Sequence, residues 1–237
     1  KENDNGIWLN NAGIDGHSTK GHAILVKDYL IDFKPDIIIF LVGINEVRRK
    51  DLGEDLFYLY NDEALNLFSV KIKNFLYRFN SVQMIVTIYR SFKAKELSLT
   101  DGIDFDFSNM DTKKITKEKY LKILQEEKKN LLNYEQRLTQ LVKFVKENKI
   151  LPILLTQPAL YGNSIDPSSG FNLSTVKIGK LNGEVNWKLL NHYNKATIKI
   201  AEKENIPFID LSSLLKKDSK YYWDFIHYSN EGNKKIG

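Results

Sequence analysis

No cysteine occurs among the 237 residues, and methionine appears only twice. The missing cysteine excludes disulfides, thiolate metal sites and a cysteine nucleophile, but it leaves the compartment open, because a chain of this size needs no disulfide to fold even when secreted. Long apolar runs are also missing: nothing approaches the ~18 residues of a membrane span, and Lys1 to Gly6 contains no apolar signal region. The chain opens on lysine rather than methionine and stops at Gly237 in a run that reads as the start of a helix. Both ends are therefore expected to be cut, and any signal or anchor could have gone with them.

An excess of one charge is lacking too. Against 30 acidic residues stand 35 basic ones, giving a net charge of +5, which describes a mixed solvated surface and not a nucleic-acid footprint. The one basic cluster, Lys113, Lys114, Lys117 and Lys119, is followed by Glu126 and Glu127 and reads as a solvated helix face. No internal repeat or low-complexity tract is present. What the chain does have is globular composition, 42% apolar and 27% charged, enough for one core and one domain spanning residues 1–237.

Three segments repeat one grammar. Asp36 to Val42, introduced by Pro35, is a continuous run of β-formers expected to be a parallel strand buried on both faces. Ile150 to Thr156 and Ile206 to Leu211 are two more such runs, each after a charged helix end and before a polar loop. Between them Ser18 to Phe33, Lys117 to Asn148 and Asn186 to Glu204 carry helical patterning. The stretch from Leu65 to Lys95 favours helix, although Val82 to Ile88 alone reads as a strand. Residues 98–116 and 159–185 read as loops, the second long enough to form a lip over a site. This alternation is that of a doubly wound parallel α/β sheet.

Such sheets bind ligands at the carboxyl ends of their strands, so the polar residues just after each strand are where chemistry is expected. After the apolar start Ile7-Trp8-Leu9, which reads as a first strand, comes Asn10 to Thr19, including Asn11, Gly13 and Gly16. After the strongest strand comes Gly43-Ile44-Asn45-Glu46, and near the end comes Trp223-Asp224-Phe225-Ile226-His227. An aspartate three residues before a histidine can hold the imidazole in one tautomer and stabilise its charged form. Asn45 can present a side-chain amide to a developing oxyanion, and Gly16 a backbone N–H. Each feature alone is commonplace: a surface pair, a turn asparagine, a glycine ahead of a helix capped by Ser18 or Thr19.

Taken together, Asn-x-Gly-x-x-Gly (Asn11, Gly13, Gly16), Gly-x-Asn-Glu (Gly43 to Glu46) and Asp-x-x-His with Asn230-Glu231-Gly232 behind it resemble, in order and spacing, blocks two, three and five of the SGNH (GDSL-like) hydrolase superfamily. The resemblance implies a three-layer α/β/α sandwich with a short parallel sheet. It implies ester hydrolysis through an acyl-serine, with His227 and Asp224 as triad members and Asn45 and Gly16 as oxyanion donors. It requires no cofactor. The common Asn-Asp ending of block three is Asn45-Glu46 here, a conservative change expected to be tolerated. Block one, which carries the nucleophilic serine, has no counterpart, so that serine is expected upstream of residue 1. Ser18 is a poor substitute, since it suits a helix N-terminus, and without the upstream serine little activity is expected.

Gln157-Pro158 and Tyr161-Gly162 follow the second strand and are candidate substrate contacts, as is His17 on the glycine segment. His17, His22 and His192 match no recognised ligand spacing, so no metal site is expected. Gly13 and Gly16 lack the first glycine of a dinucleotide fingerprint, and dinucleotide binding is rejected. The expected partner is a small-molecule, carbohydrate or lipid ester, with Tyr161, Phe171 and Trp187 available to line its pocket. An O-acyltransferase or a non-catalytic binding domain on the same fold is the alternative, because triad geometry does not fix the acyl acceptor.

Overall fold

The computed structural model describes residues 6–14, 16–49 and 107–237. The helix or strand expected within 65–95 lies outside the described residues, as does the first part of the loop expected at 98–116.

Among the described residues the sheet has three parallel strands, β1 (Ile37–Leu41), β2 (Leu151–Leu155) and the short β5 (Phe208–Ile209), with β2 between the other two. Ile37 through Leu41 pair in register with Leu151 through Leu155, and Leu154 and Leu155 pair with Phe208 and Ile209. A two-stranded antiparallel hairpin of β3 (Lys177–Ile178) and β4 (Leu181–Asn182) stands apart from it. The long loop expected over 159–185 is thus more structured than its composition suggested.

Among the described residues three helices pack on the sheet or on one another, each starting where a side chain satisfies a free N–H. Helix α1 (Thr19–Asp28) is capped by Ser18, α2 (Lys117–Glu147) by Thr116, and α3 (Gly183–Glu204) by Asn182. The apolar stripe of α2, Tyr134, Leu138, Leu141, Val142 and Val145, meets Tyr193, Ala196, Ile200 and Ala201 of α3 above Phe40 of β1 and Leu154 of β2. This cluster, joined by Val26 of α1, is the main core. The fold is α/β, with a short parallel sheet and helices packed around it.

Two expectations are corrected. Burial of β1 on both faces is not found: Phe40 is buried, while Ile37 is 49% and Ile39 56% exposed. A run of alternating-facing apolar residues reads as uniformly greasy in sequence, but the pleat sends every second side chain away from the helices. Ile7, Trp8 and Leu9 form no strand and are exposed, because no neighbouring strand among the described residues offers them a ladder.

Tight backbone approach fixes the last elements. Helix α4 is Leu211–Leu214 and α5 is Asn230–Ile236. A Cβ on Gly232 of α5 would sit 2.0 Å from the Tyr221 carbonyl, and one on Gly183 would sit 1.9 Å from that of Leu173. Only glycine lets these helices dock so closely.

Candidate active site

Residues 222–228 form a loop closed on itself. Tyr222 bridges Tyr228, and the Trp223 N–H donates to the His227 carbonyl at 2.8 Å. Inside it, Asp224 Oδ1 accepts from the backbone N–H groups of Ile226 and His227, both at 2.7 Å, while Oδ2 lies 2.7 Å from His227 Nδ1. Burial pulls the Asp224 carboxyl upward, but the bonds from the His227 ring and the two N–H groups, with the attraction of His227, outweigh it and hold the carboxyl below its usual value. A charged Asp224 at Nδ1 selects the tautomer that carries its proton there, leaving the lone pair on Nε2. The His227 side chain is 63% exposed, and among the described residues nothing hydrogen-bonds to Nε2.

The loop after β2 backs this turn. Gln157 is gripped by Asn194 of α3, which accepts from its N–H at 2.9 Å and donates to its carbonyl at 3.0 Å. Its side-chain amide donates to the Tyr228 hydroxyl at 2.9 Å, and the Leu160 N–H donates to the Phe225 carbonyl at 2.9 Å. Tyr161 is buried 6.4 Å, ring to ring, from Phe225; burial first, then the Asp224 charge, push its hydroxyl pKa up. Lys217 fastens the same loop, donating from Nζ to the Ala159 carbonyl at 2.7 Å above the Trp187 ring at 3.2 Å. Burial pushes its ammonium down to about 7, against the pull of the carbonyl and the indole face, both of which favour the charge.

Gly43, at φ 125°, ends β1 against Tyr193, 3.6 Å from where a Cβ would lie, and turns the chain into a single 3-10 turn, Ile44–Glu46. There Asn45 Nδ2 donates to the His17 carbonyl at 3.0 Å, which fixes which end of the amide is nitrogen and leaves its second N–H uncommitted among the described residues. Gly16 has φ 74°, a left-handed conformation that favours glycine. Its carbonyl accepts from Arg49 at 2.7 Å, and among the described residues nothing accepts from its N–H. His17 is buried with its ring edge-on to His22, and Ser18 is buried as the cap of α1. Glu46 is buried as well, bonded to Thr19 and Arg137.

The structure therefore joins Asn45 to His17 by a direct bond, with Gly16 next to His17 in the chain, and brings Asp224, His227, Gln157 and Tyr161 together in a second group. One hydrophobic cluster links the two: Ile44 and Val47 from the first side and Phe225 and Ile226 from the second all pack against the buried group of Ala159, Tyr161, Val176 and Leu190. Sequence reasoning passed over Arg137 and Lys217, since nothing in the pattern separates either from the many solvated lysines and arginines. Among the described residues no group of three His, Asp or Glu is placed to hold a metal, and no helix is long and apolar enough to cross a membrane.

A family model described as the GDSL-like lipase/acylhydrolase family matches residues 2–235. No curated protein matches the chain. Among solved structures, the acetyl xylan esterase AlAXEase is 16% identical, with a TM-score of 0.48, covering 95% of this chain and 75% of that one. A catalytic mutant of Axe2, an acetylxylan esterase from Geobacillus stearothermophilus, is 18% identical with a TM-score of 0.49, covering 95% of this chain and 67% of that one. A GDSL-like lipase from Bacteroides thetaiotaomicron is 12% identical with a TM-score of 0.45, covering 94% and 69%.

Proposed function

The chain belongs to the GDSL-like lipase/acylhydrolase family, and from that premise we propose that it acts as a carboxylic-ester hydrolase through an acyl-serine intermediate. His227 Nε2 takes the proton of an attacking serine as the Oγ–C bond forms, then returns it to the departing alkoxide. Water repeats the cycle on the acyl-enzyme and releases the acid. Asp224 orients the ring and stabilises its charged form. The uncommitted N–H of Asn45 and the N–H of Gly16 receive the tetrahedral oxyanion, each donor worth about 3 kcal/mol of barrier. In the block order of the resemblance the serine belongs to a segment ahead of Asn11. No cofactor enters any step.

The observation that carries this reading is the 2.7 Å contact of His227 Nδ1 with an ionised Asp224 on a turn that leaves Nε2 open. His17, Gln157 and Tyr161 are buried, so they support the site's walls more than they touch substrate, and the substrate class is a small-molecule, carbohydrate or lipid ester.

The test is hydrolysis of a short-chain chromogenic ester by protein that includes the sequence encoded upstream of Lys1, beside its His227→Ala variant. The expected result is turnover that falls by about four to six orders of magnitude in the variant. A folded, serine-containing protein without turnover would overturn hydrolysis in favour of acyl transfer to another hydroxyl, or of binding alone.

A further inference from the structure

Glu46 is 3% exposed, yet it is a carboxylate, and its side chain bonds to two helices, at Thr19 of α1 and Arg137 of α2. Its Oε1 accepts from the Thr19 N–H at 2.5 Å and from the Thr19 hydroxyl at 2.6 Å, while Oε2 accepts from Arg137 Nη2 at 2.7 Å. Arg137 Nε closes the figure by donating to the Thr19 hydroxyl oxygen at 3.0 Å. The result is a ring of three side chains from three elements. It occupies the first turn of α1, where the free N–H groups and the helix dipole favour a negative charge. A buried carboxylate left without these partners would be costly, so the ring holds as a unit.

The ring's position gives it a second consequence. Thr19 lies three residues after Gly16, and Glu46 lies next to Asn45. The separation between the two proposed oxyanion donors is therefore set across a lock of four hydrogen bonds. Two bonds reinforce it, from Asn45 Nδ2 to the His17 carbonyl and from Arg49 to the Gly16 carbonyl. Arg48 adds a third anchor, its N–H donating to the buried Glu127 of α2 at 2.7 Å.

We propose that Thr19, Glu46 and Arg137 are positioning residues, a charged clamp that sets the spacing of the Gly16 and Asn45 donors. The inference rests on the ester-hydrolase reading above, since spacing matters only if both donors serve one oxyanion. The carbonyl oxygen of a bound ester makes weaker demands on these donors than the oxyanion does, so loosening the clamp acts on kcat and spares KM.

The experiment is a double-mutant cycle in the serine-containing protein, with active sites counted by the acyl-enzyme burst so that any unfolded fraction drops out. Thr19→Val removes the hydroxyl at nearly constant volume. It is expected to lower kcat about 10- to 100-fold, with KM within about threefold of the unsubstituted protein, the size of effect that misplacing a catalytic group produces. Thr19→Ser restores the hydroxyl and most of kcat. In an Asn45→Ala background the Thr19→Val loss shrinks to below about threefold, because a spacing with one member gone has nothing left to serve.

Arg137→Met, at a side chain 23% exposed, gives the same readout should the Thr19 variant not fold. Losses that are equal in both backgrounds, or no loss at all, in a protein whose hydrolysis depends on His227, overturn the clamp and leave the hydrolase reading intact. Absence of His227-dependent hydrolysis in the unsubstituted protein overturns that reading, and the clamp with it.

Discussion

Asp166 shows how a single side chain can knot two distant loops. Wholly buried, it accepts from the N–H groups of Ser168, Ser169 and Ser219 and from the hydroxyls of Ser169 and Ser219. Burial raises its pKa, and those bonds more than reverse the rise, so it ends below the ordinary aspartate value. A carboxyl with a lower pKa folded than unfolded contributes stability that is fully present above the unfolded value of about 3.9 and is lost as pH falls through the folded one. Asp210 and Asp224 are lowered likewise. Asp166→Asn is therefore expected to cost about 1–3 kcal/mol near pH 7. The gap in melting temperature from the unsubstituted protein should narrow as pH is taken below about 4; a constant gap in calorimetry would contradict it. At this scale the sequence was readable where partners are close. Asp224 and His227 are three residues apart and could be paired on paper, whereas Glu46 and Arg137 are separated by 91 residues and only the fold brings them together.

Helices and strands were readable wherever local patterning and packing agree. The patterns placed both ends of α2 and α3 to within a few residues and the start of α1, because each carries an apolar stripe and a capping side chain at its start, whereas α1 stops at Asp28 and a 3-10 turn takes Leu30–Phe33, where helix was expected. The third apolar run gave only the two-residue β5, since Pro207 and the turn into α4 leave little room for a ladder. Gly232 illustrates what pattern alone misses: it looks like an ordinary helix-weakening residue, yet it is what allows α5 to rest on the Tyr221 carbonyl at the base of the Asp224–His227 loop. Gly232→Ala must push the two apart. We expect a loss of about 1–3 kcal/mol in urea unfolding, with a larger fractional loss of ester turnover than Gly237→Ala, whose Cβ would meet nothing closer than 3.7 Å. Equal behaviour of the two variants would argue against the close approach.

At the scale of the whole molecule, one face of the sheet is unlike the other. Ile37, Ile39 and Leu41 of β1, Leu151 of β2 and Ile209 of β5 are each at least 37% exposed, on strands whose opposite side packs against α2 and α3. Contiguous apolar area of this kind favours self-association. The 237-residue chain is accordingly expected to bind an apolar dye and to sediment faster as its concentration rises. Ile39→Lys should weaken both effects without changing helix content by circular dichroism; unchanged sedimentation would show that this face is not the sticky one. The family was legible because its three signature segments are short and local. The exposure of Ile37, Ile39 and Leu41 was not, because which side chains of a strand are covered is decided by elements far away in the chain.

The self-closed loop of residues 222–228 has a mechanical consequence. Asp224 and His227 are tied to each other by bonds inside that loop, which is held to the rest of the protein through Gln157, Leu160 and the neighbouring ring of Tyr161. Any displacement of the loop would carry both side chains together, because the bonds between them lie within it. The reach of His227 toward its target then changes, while its hold on Asp224 does not.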